Sequence, residues 1–162
     1  MSAGDTVFSA RGMMESEHAL TWSDSFAVGH DELDWEHRGL VDAINHVEAA
    51  VRQRKGPEEI AEALSMLREK AVRHIQDENA LLRQIKSGEF EPPRSHLSAP
   101  HFLKAMAESA LDQHLAKHDE LLARLDAIIA GPAEALYDSL KTWFVDHAIK
   151  HDLPLKAIFQ AV

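Results

Sequence analysis

Seven side chains in this sequence have the types and spacing to bind metal. They are His37, then His74 with Glu78, then His114 with His118, then His147 with Asp152. They supply imidazole nitrogens and carboxylate oxygens from four separate amphipathic stretches. Two first-row metal ions want about this many nitrogen and oxygen ligands, and a four-helix bundle can aim all of them at one interior point. Residues at i and i+4 sit one helical turn apart on the same face, with Cβ atoms about 5–6 Å apart. His114 and His118 can therefore chelate one ion. His74 can bind an ion while Glu78 reaches across to a second. His147 and Asp152 are five apart, which an ideal α-helix turns well off a common face. A local π-like widening, or a loosened last turn before Pro154, brings Asp152 inward.

Helices must carry these residues. Few β-branched residues and glycines, with abundant Ala, Leu, Glu and Arg, predict an all-α fold. The first helix starts near Asp31 or Asp34, either of which can cap it. Its stripe runs Leu33, Leu40, Val41, Ile44, Val47 and Val51, and His37 falls inside it. Lys55-Gly56 ends that helix and Pro57 opens the second, with Glu58 and Glu59 in its first turn. Its stripe reads Ile60, Leu64, Leu67, Ala71, His74, Glu78, Leu81 and Ile85, and Ser87-Gly88 stops it. Residues 88–98 read as a loop around Pro92 and Pro93. Ser98-Ala99-Pro100 starts a third helix, whose register holds through Met106, Ala110, His114, His118, Leu121, Leu125 and Ile128. Gly131 ends it. Pro132 opens a fourth, with Leu136, Leu140, Trp143 and His147 on one face. Pro154 limits it, and Leu155–Val162 packs back as a further turn or two. The first twenty-one residues form an arm.

Every candidate ligand thus lies on a buried stripe. One buried histidine is usually a satisfied core residue. An interior Glu78 without a partner would cost several kcal/mol. Five interior histidines and an interior glutamate together would be ruinous for a purely structural core, and metal coordination explains them all. Imidazole alone does not name the metal.

Composition narrows the partners. The chain has 162 residues and a formal charge of −10, which predicts one domain and argues against nucleic acid. The absence of cysteine excludes disulfides, thiolate sites and thiol catalysis. No stretch approaches the roughly 18 apolar residues of a spanning helix. The N-terminus shows no apolar run behind a basic patch, so a cytoplasmic, membrane-free protein is the expectation.

The order His, His-x-x-x-Glu, His-x-x-x-His, His-x-x-x-x-Asp resembles the hemerythrins, and more closely the bacterial hemerythrins. Trp22, Val28-Gly29, the Asp34-x-x-His37 step, Asn45, and Trp143 four before His147 resemble that family as well. The resemblance runs from about Trp22 to Asp152. It implies an up-down-up-down four-helix bundle over residues 22–162 and a non-haem di-iron centre. One iron would be held by His114, His118 and His147, the other by His37 and His74. Glu78 and Asp152 would bridge them, with a solvent-derived oxo or hydroxo group. Dioxygen would bind reversibly at the open position of the second iron, beside a pocket walled by Trp143, Ile75 and Phe144. Departures from the family pattern stand near the ligands: Ile75 where Phe is common, Asn79 where a second Glu is common, Leu82 in place of Met, and Phe144 in place of Leu. The segment between helices two and three is also longer, with an insertion at about residues 88–107.

The implied role is oxygen storage, delivery or sensing. With no output domain in the sequence, a one-domain store or carrier is the expectation. An alternative from another class is a di-iron redox enzyme on the same site, a peroxidase or a nitric-oxide-handling protein. A third is a helical interaction module whose histidines bind zinc or nothing. The remaining histidines, His18, His30, His46, His96, His101 and His151, read mostly as exposed polar residues. His96 and His101 also offer a surface metal site.

Overall fold

The computed structural model describes residues 19–89 and 100–159. A short 3₁₀ turn, Asp24–Phe26, precedes α1 (Asp31–Arg52), α2 (Pro57–Ser87), α3 (Pro100–Ile129) and α4 (Ala133–Val145). A π-helical segment, Asp146–His151, continues α4, and α5 (Leu153–Phe159) closes the described chain. The arm up to His18, and the segment 90–99 that holds His96, lie outside the described residues, as does the side chain of His101.

Helix ends follow local chemistry. Pro57 is the first residue of α2, and Glu59 accepts the Gly56 N–H at 3.3 Å. Gly88 ends α2 at φ 77°, a left-handed conformation that favours glycine, while the Glu89 N–H reaches the Gln84 carbonyl at 3.0 Å. The start of α1 corrects the expected cap. The capping position is His30, and neither Asp31 nor Asp34 fills it. The Asp34 carboxylate instead turns back to accept the Val28 N–H at 2.6 Å and the Gly29 N–H at 3.1 Å. Gly29 stands at φ 87°, which lets the loop fold onto the helix that follows it.

The four long helices form a bundle. Each packs against its neighbour in sequence, and α4 closes back on α1. Two apolar clusters fill the interior. The larger joins Leu40, Ile44 and Val47 of α1 with Leu67 and Ile75 of α2, Leu121 and Leu125 of α3, and Leu140, Trp143 and Phe144 of α4. The smaller joins Val28, Leu33, Leu81, Leu82, Leu155 and Phe159. Along α1 the chain passes from the smaller cluster (Leu33) through His37 to the larger (Leu40). Along α2 it passes from the larger through His74 and Glu78 to the smaller. The order reverses again in α3 and again from α4 into α5. That alternation is the up-down-up-down topology, and it sandwiches one polar layer between two apolar ones. Leu155 and Phe159 show why the chain continues past Asp152, since α5 supplies part of the lid of that layer.

The N-terminal side is tied down before Trp22. Asn45 accepts the Leu20 N–H at 2.8 Å and donates to the Leu20 carbonyl at 2.9 Å. The Arg38 guanidinium stacks 3.9 Å above the Trp22 ring. Past the polar layer, Lys86 of α2 pairs with Asp112 of α3 at 2.6 Å. None of the seven candidate ligands lies between them. Replacing residues 90–98 with a short Gly-Ser linker will therefore leave the metal content unchanged by elemental analysis. Loss of metal with helicity retained would mean that His96 belongs to the site.

Candidate metal centre

Each functional side chain is set by its element. His37 of α1, His74 and Glu78 of α2, His114 and His118 of α3, His147 of the π segment and Asp152 just after it are all buried, at 0–5 % exposure. The π segment answers the spacing problem between His147 and Asp152. In an α-helix five residues turn the chain about 140° past its starting face. Here the Asp152 N–H donates to the His147 carbonyl five residues back, at 3.2 Å. The wider turn carries both side chains to the interior.

Two groups of potential ligand atoms result. His37, His74, His147 and Asp152 form one; Glu78, His114 and His118 form the other. Both carboxylates touch both groups. Glu78 lies 3.1 Å from the Nε2 atoms of His114 and His118 and 3.6 Å from that of His74. Asp152 lies 3.1 Å from His37 Nε2 and 3.6 Å from the Nε2 atoms of His147 and His114. His147 Nε2 stands 2.9 Å from His74 Nε2, on the side of His37 and His74 rather than of His114 and His118.

The outer nitrogens are held so that the inner ones face the cluster. His37 Nδ1 meets the Phe26 carbonyl at 2.8 Å, and Asp34 fixes the loop that follows that carbonyl. His74 Nδ1 meets Glu36 at 2.9 Å, and His118 Nδ1 meets the Asn79 amide oxygen at 2.6 Å. The His151 carbonyl lies against His114. An acceptor on one ring nitrogen places the proton there and frees the other to ligate. Glu36 and Asn79 were missed as site residues from sequence. Glu36 had a signal, since it falls three after Leu33 and four before Leu40 on the same stripe. Of the three proposed pocket residues, Trp143 stacks on His147 at 6.2 Å and donates to the Leu121 carbonyl, and Phe144 meets His37 edge-on at 5.9 Å. Ile75 is buried in the larger cluster.

Electrostatics sharpen the picture. Burial drives the pKa values of His74 and His147 down to about 3, so both are neutral imidazoles able to donate a lone pair. Burial acts the same way on His37 and His114, but Asp152 and Glu78 beside them outweigh it and raise both. Burial pushes Glu78 up, yet the His114 and His118 imidazoles against its oxygens hold it well below the usual carboxylate range. Burial, then Asp77, raises Glu36 to about 7. Both Asp152 oxygens, Glu78 Oε2 and His118 Nε2 are sealed from solvent and make no well-formed hydrogen bond. Such atoms in a dry interior are costly unless a cation meets them. The residues fit a metal.

Residues 28–155 match the family model of the hemerythrin HHE cation-binding domain. The chain belongs to the hemerythrin family. No curated protein and no solved structure matches it. As a hemerythrin-family domain it binds metal cations, and the buried His, Glu and Asp side chains supply the donors. No helix among the described residues is long and apolar enough to cross a membrane.

The pKa directions give a testable consequence of cation binding. His37 and His114 are raised, so protons compete with metal there most strongly. Loading divalent metal will release protons from the chain. Apparent affinity will weaken as pH falls. A weakly buffered titration with a pH indicator measures the release. Uptake without proton release would show that these two rings are not ligands.

Proposed function

We propose that this hemerythrin-family chain binds dioxygen reversibly at a non-haem di-iron centre held by His37, His74, Glu78, His114, His118, His147 and Asp152. The observation that carries the reading is the pair of buried carboxylates, each in contact with both groups of imidazoles. A single ion does not need two shared anions at its two ends, whereas two adjacent cations do. His37 and His74 would serve one iron and His114 and His118 the other; His147, which the resemblance assigns to the iron of His114 and His118, stands on the side of His37 and His74. Two irons held there would supply the electrons for reversible reduction of dioxygen.

The chain's own residues favour release over further chemistry. Five neutral imidazoles face only two carboxylates, so the donor set is poor in the negative charge that stabilises highly oxidised iron. Phe144 and Trp143, fully buried beside His37 and His147, keep bulk water away from that end of the layer. Ile75, next to His74 and equally enclosed, does the same from α2. Domain boundaries follow this reading, with residues 22–162 as the oxygen-binding unit, 1–21 as an arm and about 88–107 as an insertion.

Absorbance on the reduced, iron-loaded protein tests the proposal. Admitting oxygen will produce a visible charge-transfer band, and purging with inert gas will bleach it over repeated cycles. A band that decays to a ferric spectrum within one cycle would overturn reversible binding and point to the redox-enzyme alternative.

A further inference from the structure

His74 and His118 share a feature among the clustered imidazoles. The outer nitrogen of each meets a side chain, whereas His37 is met by a backbone carbonyl. The two side chains differ in chemistry, one an ionisable carboxyl group and the other a neutral amide. Behind His74 is a carboxylate, Glu36, itself 8 % exposed. Behind His118 is the partly buried amide of Asn79, at 2.6 Å. A carboxylate draws the Nδ1 proton toward itself and strengthens the lone pair on the other nitrogen. An amide oxygen orients the ring as well but adds little donor strength.

The placement makes Asn79 specific to one half of the cluster. It follows Glu78 on α2 and reaches across to His118 on α3. It therefore acts on the group formed by Glu78, His114 and His118, and not on the group of His37, His74, His147 and Asp152. Glu36 acts on the latter group alone. The two halves thus receive unequal support from behind.

We infer that Asn79 is a positioning residue that fixes the His118 ring and, being neutral, leaves the Glu78/His114/His118 half of the centre the weaker metal site of the two. The inference rests on the dinuclear reading above. That half fills second and empties first.

Cobalt(II) serves as the probe, because its visible ligand-field spectrum reports each equivalent bound. The full chain, its Asn79→Ala, Asn79→Asp and Glu36→Gln variants are titrated against a competing chelator, with helicity followed by circular dichroism. The wild-type chain will take up two equivalents of unequal affinity. Asn79→Ala will loosen the weaker equivalent by about 10- to 100-fold and spare the tighter one. Asn79→Asp, which keeps the acceptor and adds charge, will tighten the weaker equivalent and narrow the gap. Glu36→Gln will loosen the tighter one. Equal loosening of both equivalents by Asn79→Ala, or loosening by Asn79→Asp as large as by Asn79→Ala, would overturn the inference and leave the dinuclear reading standing. Uptake of fewer than two equivalents by the wild-type chain would overturn both.

Discussion

Replacing Glu78 with alanine will strip metal from the protein. Its two oxygens lie against the Nε2 atoms of His74, His114 and His118, so one substitution removes a donor from both halves of the cluster. In the proposed dinuclear centre it would also remove the negative charge that lets two cations sit close together. In a low-dielectric interior that repulsion is large and unscreened by salt. His37→Ala, by contrast, deletes one imidazole that serves a single group and leaves both carboxylates in place. Metal content after purification will fall from about two ions per chain to well below one in Glu78→Ala. His37→Ala will keep more than Glu78→Ala. Elemental analysis at matched helicity measures both. Glu78→Ala protein that keeps two ions would mean that Glu78 does not bridge.

Phe144→Ala will produce two separable losses. Phe144 is fully buried and meets Phe26 edge-on at 5.1 Å as well as His37 at 5.9 Å. Deleting a buried aromatic ring costs about 3–5 kcal/mol, through lost transfer energy and the cavity left behind. That shows as an earlier midpoint in chemical unfolding. The cavity opens beside His37, so water gains access to the metal layer and oxygen cycling will fade within one or a few cycles. Leu125→Ala is the control. Leu125 is also fully buried in the larger cluster, but on α3 beyond His118. It will lose about 2–5 kcal/mol yet keep reversible cycling. If both variants cycle equally well, Phe144 does not shield the site.

Much of this architecture was legible in the sequence because one stripe per helix carries both core and ligands. Leu33, His37 and Leu40 share a face by simple helical spacing, and so do Ala71, His74, Glu78 and Leu81. The stops at Ser87-Gly88 and Gly131, and the start at Pro57, follow from backbone chemistry that is local to those residues. The His147–Asp152 step was legible as a difficulty, and the π segment is its solution. What failed was Asp34. Its type and place suit a helix cap, but the Val28 and Gly29 amides compete for the carboxylate, and that outcome depends on how the loop folds back. Asn79 was visible as a departure from the family pattern, while its role was not. The role exists only once α2 and α3 are side by side. The same limit applies to His147, whose spacing predicts that it faces inward but not which imidazoles it stands beside.

The most direct test of the account is the iron content of the full chain, purified without added metal and with its helices intact by circular dichroism. The account predicts about two iron ions per chain, lost together in Glu78→Ala. One metal ion per chain, zinc in place of iron, or none at all would contradict it.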